Sequence, residues 1–200
     1  MYDWRKMDDK MRQETLAFRK VHHFPLHSPP HCEQPDWNRY HLTAACYEHK
    51  PVIGVDPHRM SAFCEELKSL LGEGDCDLFA WCVLPNHWHA LIGTDNLKEV
   101  IARISHLHGC CSFKWNGEDC RRGRKCWCCC ADRRIRSDRH FYVTRNYIHN
   151  NPVKHGYVKK WDDWVFSSAI GYLDAVGRDE ALDCWRKYPV KDMGKGWDEF

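Results

Sequence analysis

Long apolar runs, a strong net charge and an export signal are all missing from this 200-residue sequence. No stretch approaches the roughly 18 apolar residues that a membrane-spanning helix needs. The opening residues, Met1 to Lys6, carry charge where a signal peptide would begin its apolar core, so we expect a cytoplasmic protein. The formal net charge is only +2, so any attraction to nucleic acid must be local.

A disulfide framework is also unexpected, although the chain contains 13 Cys and 14 His. An odd number of cysteines without an export signal argues against paired cysteines. No C-x₂-C pair is followed by a second one, which is the usual spacing of a zinc site. Inert core thiols and a structural zinc therefore both remain open for one group of cysteines: Cys110, Cys111, Cys120, Cys126, Cys128, Cys129 and Cys130.

The chain divides into three parts. Residues 1–38 form an extension that we expect to be irregular, because the stretch from His22 to His31 is rich in proline and histidine and has no helix or strand period. Residues 39–173 form the main domain, and residues 174–200 form a polar C-terminal tail.

Within the main domain, hydrophobic periodicity predicts the order β-α-β-β-α-β followed by helices. Asp56, Asn96 and Ser137 are suitable caps for the first residues of three helices, and the third helix should end near 150, before Pro152. This order is typical of the α+β ferredoxin-like fold, a split βαβ arrangement with a four-stranded antiparallel sheet and helices on one face. The predicted strands are 39–47, 77–84, 87–92 and 126–135, with a loop at 115–125 and a short helix at 163–173.

The first candidate site is His87-Trp88-His89 on the predicted hairpin strand. Residues two apart on a strand point to the same face, with about 6 to 7 Å between their Cα atoms. Two imidazoles placed in this way can bind one divalent metal ion. The alternative is a pair of polar side chains on an exposed sheet face.

The second candidate is the end of the third helix, where Tyr147 and Asn151 are one turn apart and share a face. A phenol and an amide could then contact the same metal-bound group. The alternative is a buried aromatic residue and a polar helix end, and Pro152 makes the direction of Asn151 uncertain.

The third candidate is a basic segment with neighbouring aromatic residues, which is typical of a groove for single-stranded nucleic acid. Its alternative is a solvated loop, but only one acid, Asp132, accompanies the cations between 121 and 136. We predict contacts to an anionic partner from Arg121, Arg122, Arg124, Lys125, Arg133, Arg134 and Arg136.

Two motifs resemble a known family. The run Val83-Leu84-Pro85-Asn86-His87-Trp88-His89 resembles the histidine box of the single-tyrosine HUH transposases (transposase IS200-like). The run from Tyr147 to Val158, followed by Asp163-Trp164-Val165-Phe166-Ser167-Ser168, is similar to a hallmark of their subgroup, the REP-associated tyrosine transposases. The resemblance covers roughly residues 39–173 and implies the same ferredoxin-like fold.

The resemblance implies a bacterial enzyme that cleaves and rejoins single-stranded or hairpin DNA at REP-like palindromes. His87, His89 and Asn151 would bind a divalent metal ion (Mg or Mn), Tyr147 would be the nucleophile that forms a 5′-phosphotyrosine intermediate, and Lys154 would contact DNA. A monomer is expected. The alternatives are a non-catalytic, domesticated DNA-binding protein, stabilised by zinc or not, and a metal-dependent hydrolase of small phosphoesters.

Overall fold

The computed structural model describes residues 8–21, 38–191 and 193. Two short 3₁₀ turns, Tyr47–His49 and Ile53–Val55, follow the first strand. The strands are β1 (Arg39–Ala45), β2 (Cys76–Leu84), β3 (His87–Thr94) and β4 (Ala131–Arg134). The helices are α1 (Asp9–Val21), α2 (Pro57–Gly72), α3 (Leu97–Glu118), α4 (Asp138–Lys154), α5 (Ala169–Val176) and α6 (Arg178–Lys187).

The four strands form one antiparallel sheet in the order β2-β3-β1-β4. Leu42 in β1 pairs with Ala90 of β3 on one side and with Asp132 of β4 on the other. Because α2 connects β1 to β2 and α3 connects β3 to β4, the chain forms two interleaved split βαβ units. The predicted ferredoxin-like fold is confirmed.

The two faces of the sheet have different neighbours. Tyr40, Leu42 and Trp88 belong to an apolar cluster that also contains the buried apolar residues of α2 and α3. Leu91 on the opposite face belongs to a second cluster, together with Tyr147 and Ile148 of α4. The helices of the two βαβ units thus share one face, as predicted, and α4 covers the other.

The three predicted helix caps are present. The side chain of Asp56 accepts a hydrogen bond from the Arg59 backbone N–H (2.9 Å), and Pro57 is the first residue of α2. Asn96 caps α3 and Ser137 caps α4 in the same way, accepting at 3.2 and 3.1 Å from the N–H three residues on. Each cap satisfies a backbone donor that the first helical turn leaves without an acceptor.

Several element boundaries differ from the prediction. α3 continues to Glu118, where a loop from 115 was predicted, because Trp115 and Asn116 are buried. β4 covers only 131–134 of the predicted 126–135: β1 ends at Ala45, so residues near 127 retain only an isolated bridge to Cys46. α4 continues past Pro152 to Lys154, since a proline in the last turn removes only one helical hydrogen bond.

The segment 163–168 was predicted to begin a helix, but it lies along the outer edge of β2. The Trp164 indole N–H donates to the Val83 carbonyl (2.9 Å), and the Val83 N–H donates to the Phe166 carbonyl (2.9 Å). Ser167 forms a bridge with Cys82. These hydrogen bonds with a sheet edge replace the helical ones, and α5 therefore begins only at Ala169.

Both extensions contain helix. α1 lies within the N-terminal extension and α6 within the C-terminal tail, so neither part is irregular throughout. The proline-rich and histidine-rich stretch from 22 to 31 lies outside the described residues. No helix in the described ranges is long and apolar enough to cross a membrane.

Candidate active site

Strand β3 presents His87 and His89 on the face that α4 covers. Both are 2% exposed, and their ring centroids are 5.1 Å apart. Between them, Trp88 points to the opposite face and packs in the α2–α3 cluster. The predicted same-face arrangement of the two histidines is present, and burial excludes the alternative of an exposed polar pair.

Helix α4 brings Tyr147 and Asn151 to these histidines. The Asn151 side-chain oxygen lies 3.0 Å from Nε2 of His87, and the Tyr147 ring centroid lies 5.4 Å from that of His89. Asn151 stays helical before Pro152, and its carbonyl accepts the N–H of His155 (3.0 Å). The proline therefore does not turn Asn151 away from the site.

The structure adds a third histidine that the sequence analysis did not select. His41 of β1 is buried, and its Nε2 lies 3.1 Å from Nδ1 of His89. Its ring centroid is 5.9 Å from that of Tyr147. The alternation of β1 was the available signal, because it places His41 opposite the apolar side chains of Tyr40 and Leu42. Only the pairing of β1 with β3 shows which residues it meets.

Three basic side chains surround Tyr147 and the histidine pair. The Lys154 ammonium lies 5.4 Å from the Tyr147 ring centroid, and the His155 ring lies 4.8 Å from that of His87. Arg133 pairs with His41 across β1 and β4. Desolvation lowers the pKa of Arg133, and its charge interaction with Tyr147 opposes that lowering. Positive charge at Lys154 and Arg133 would stabilise an anion at this position.

The other predicted DNA contacts lie beyond the immediate site. Arg124 is paired with Asp119 (2.7 Å), and Arg122 donates to the Phe113 carbonyl (2.9 Å). Asp119 also binds Arg59 (2.6 Å), and this contact holds the pKa of its carboxyl at about 2. The acids before residue 121 thus compensate part of the basic segment. Phosphate contacts by Arg121, Arg122, Arg124, Lys125, Arg134 and Arg136 stay a prediction.

The cysteine group does not converge. Cys111 lies on α3 beside Glu66, and Cys126 donates to the Asn116 side-chain oxygen (3.3 Å). Burial raises the pKa of Cys111 and Cys130 to about 12, which keeps them as thiols. Among the residues that the structure describes, no group of three or more His, Cys, Asp or Glu side chains could hold a metal ion.

A divalent ion would instead use two imidazoles and an amide, and the orientation of His87 fits such a site. Asn86 donates from its side-chain nitrogen to the His49 carbonyl (3.1 Å), so its side-chain oxygen faces Nδ1 of His87 (2.7 Å). That oxygen accepts the Nδ1 proton, so Nε2 presents a lone pair towards the Asn151 oxygen. Two electron-pair donors facing each other suit a shared cation.

Comparisons with known proteins agree with these motifs. The chain is 33% identical over 103 residues to a protein of Haemophilus influenzae named putative REP-associated tyrosine transposase, covering 44% of this chain and 56% of the relative. It is 30% identical over 100 residues to the REP-associated tyrosine transposase of Escherichia coli K12, covering 46% of this chain and 53% of that protein. The chain thus spans about half the length of these curated relatives.

A solved structure shares the fold. It shows a REP-associated tyrosine transposase bound to a REP hairpin, and it matches 75% of this chain and 87% of its own with a TM-score of 0.57 and 19% identity. No family model matches the sequence. The resemblance stated from the two motifs is confirmed by the curated relatives: the chain is similar to REP-associated tyrosine transposases over about half of their length.

Proposed function

We propose that this protein is a single-tyrosine DNA endonuclease and strand transferase of the transposase kind. One observation carries the proposal: α4 places a phenol and an amide, Tyr147 and Asn151, against the histidine pair of β3. The residues that supply this arrangement are those of the two motifs. The curated relatives, which are named as transposases, support the same assignment.

The chemistry follows from the side chains at the site. The Tyr147 oxygen attacks a backbone phosphorus, a 5′-phosphotyrosine bond forms, and the bond to the 3′-oxygen breaks to leave a 3′-hydroxyl. Because one phosphodiester replaces another, a 3′-hydroxyl can reverse the step without an external energy source. Lys154 and Arg133 would balance the charge of the phenolate and the phosphate.

A divalent metal ion, Mg or Mn, would be held by His87, His89 and Asn151. When bound, such an ion neutralises phosphate charge and orients the phosphorus for attack. The donor set consists of neutral imidazoles and an amide oxygen, and all three residues are buried on the α4 face.

The proposed substrate is single-stranded or hairpin DNA. The related structure contains a REP hairpin, which makes a REP-like palindrome the first substrate to test. Tyr147 is only 1% exposed, so the reacting phosphate has to enter a narrow site. A flexible single strand can expose one phosphate to such a site more readily than a stiff duplex can.

A covalent-adduct assay tests the proposal. The protein is incubated with Mn²⁺ and a 3′-labelled hairpin that carries single-stranded flanks, and the products are separated on a denaturing gel. We expect a labelled protein band, because the tyrosine retains the 5′-phosphate of the labelled fragment. Tyr147→Phe should abolish the band while DNA binding persists.

Tyr142→Phe is the matched control on the same helix. The Tyr142 ring stacks on Tyr188 with 4.7 Å between centroids, so it belongs to a different contact. The control should still form the adduct. An adduct with Tyr147→Phe would assign the nucleophile elsewhere, whereas DNA binding without any adduct would favour the non-catalytic alternative.

A further inference from the structure

The two histidines of the proposed metal site are held in the same way. Nδ1 of His87 lies 2.7 Å from the Asn86 side-chain oxygen, and Nδ1 of His89 lies 3.1 Å from Nε2 of His41. In both rings Nδ1 makes this contact, so Nε2 is the nitrogen that the contact does not use. A neutral imidazole has one N–H and one lone pair, so the partner at Nδ1 determines which nitrogen can bind a metal.

The contact at His87 has one direction only. The backbone carbonyl of Asn86 accepts the Cys46 N–H (2.7 Å), and its side-chain nitrogen donates to the His49 carbonyl (3.1 Å). These two hydrogen bonds fix the residue and leave its amide oxygen towards His87. An oxygen can only accept, so the proton of His87 is on Nδ1.

The contact at His89 joins two imidazoles, of which one must donate and the other accept. Thr43 pairs with His89 in the β1–β3 register, which makes His41 a diagonal neighbour of His89 on the same face. Both rings are 2% exposed, so water does not compete for this contact. If His89 donates from Nδ1, its lone pair lies on Nε2, as it does in His87.

We propose that Asn86 and His41 are positioning residues that hold His87 and His89 as Nδ1–H tautomers. Each ring then offers Nε2 as its metal-binding nitrogen, on the face that Asn151 and Tyr147 also reach. The inference rests on the proposed function, because it assigns roles around the same metal site. Neither residue would touch the substrate; both would act through a ligand.

Metal affinity, measured without DNA, is the direct readout. Removing a hydrogen bond that orients a metal ligand commonly weakens metal binding by about 10-fold to 100-fold. Mn²⁺ is titrated against the full chain, and the free ion is followed by its electron paramagnetic resonance signal. His41→Phe and Asn86→Ala remove the acceptor at Nδ1, and each should raise the Mn²⁺ dissociation constant by about 10-fold to 100-fold.

Two conservative variants separate hydrogen bonding from packing. His41→Gln can present an amide oxygen to His89, and Asn86→Asp retains an oxygen for His87. Both should bind Mn²⁺ nearly as tightly as the unmodified protein. Thr43→Val is the matched control on β1, because the Thr43 hydroxyl donates to the Trp88 carbonyl and not to a ligand ring. Circular dichroism confirms that each variant is folded.

The outcomes distinguish this inference from the proposed function. His87→Ala tests the metal site itself and should abolish specific Mn²⁺ binding. If it does, while His41→Phe and Asn86→Ala bind like the unmodified protein, the positioning roles are wrong and the metal site stands. The inference would also be overturned if His41→Gln and Asn86→Asp bound Mn²⁺ as weakly as His41→Phe and Asn86→Ala, because packing would then explain the weaker binding. If the unmodified protein and His87→Ala bind Mn²⁺ equally, the proposed metal site and the inference both fail.

Discussion

The two faces of the sheet are built from the same strands but differ in their side-chain chemistry. In β3, Trp88, Ala90 and Ile92 join the apolar cluster with α2 and α3. The alternate positions His87 and His89 face α4. All eight residues of the strand are buried, so the two faces do not differ in exposure.

The difference has an energetic meaning. Burial of apolar surface stabilises the fold by about 25 cal/mol per Å². Burial of an imidazole or an amide costs free energy unless hydrogen bonds replace those made with water. On the α4 face, the contacts of Nδ1 of His87 with Asn86 and of Nδ1 of His89 with His41 offset part of that cost. This face therefore contributes less to stability than the apolar face, and it carries the proposed site. Substitutions on the two faces should therefore separate activity from stability.

The largest effect is expected on the α4 face. His89→Ala should lower adduct formation by about a hundredfold or more, because a metal ion typically contributes several kcal/mol to the transition state. Excess chelator should do the same to the unmodified protein. Ile92→Val is the control on the opposite face of the same strand, and its adduct should form at the normal rate. Full activity in excess chelator would exclude the metal-dependent chemistry.

The converse effect is expected on the α2–α3 face. Leu67 is 1% exposed within the apolar cluster, so Leu67→Ala should lower the free energy of unfolding by about 2 to 5 kcal/mol. Urea denaturation measures that decrease. The rate of adduct formation per folded molecule should be unchanged. A slower reaction at full folding would mean that packing on this face positions the site through the shared strands.

The strand alternation and the motifs predicted most of this arrangement. Three predicted caps are present, and His87, His89, Tyr147 and Asn151 come together as the motifs imply. These features depend on local spacing, which a sequence displays directly. The alternation of β1 likewise indicated which of its side chains face the apolar cluster.

Contacts between distant segments were not readable. His41 joins the site only because β1 pairs with β3, and residues 163–168 are extended only because the edge of β2 can accept them. Likewise, Arg124 looks like a solvated cation within its own segment but is paired with Asp119. In each case a tertiary contact decided the outcome, and for His41 the alternation of β1 indicated its face of the sheet but not its partners.

Each face also has a buried histidine whose pKa is strongly lowered, which gives a smaller, pH-dependent comparison. Desolvation lowers the pKa of His108 in the α2–α3 face and of His149 on α4 to about 3, from an ordinary 6.5. Between pH 3 and pH 6.5 the unfolded chain binds more protons than the folded protein does. The contribution of each neutral histidine to the free energy of unfolding is therefore complete above pH 6.5 and is lost as the pH falls towards 3.

Conservative variants assign that pH dependence to each face. His108→Gln retains an acceptor for the Trp88 indole N–H, and His149→Gln retains a partner for the Ser168 hydroxyl. Each should reduce the slope of unfolding free energy against pH by about 1.4 kcal/mol per pH unit within this window. Denaturant titrations at several pH values measure the slope. An unchanged slope would mean that the histidine concerned already titrates normally in the folded protein.

The smallest effect is expected on the salt dependence of DNA binding, which tests whether basic side chains contact DNA at the site or in the loop after α3. Replacing Arg133 and Lys154 together by alanine should lower the salt slope of single-strand binding by about 0.7 for each phosphate that these side chains neutralise. Arg121→Ala with Arg122→Ala should lower it less, because Arg122 already donates to the Phe113 carbonyl. Arg124 stays unmodified in this pair, since its bond to Asp119 belongs to the fold. Binding titrations at several salt concentrations give both slopes.

The two outcomes for the loop pair have different meanings. An unchanged salt slope would mean that the bound DNA strand contacts only the α4 face. Weaker binding of hairpins, with unchanged binding of unstructured strands, would mean that the loop recognises the shape of the hairpin.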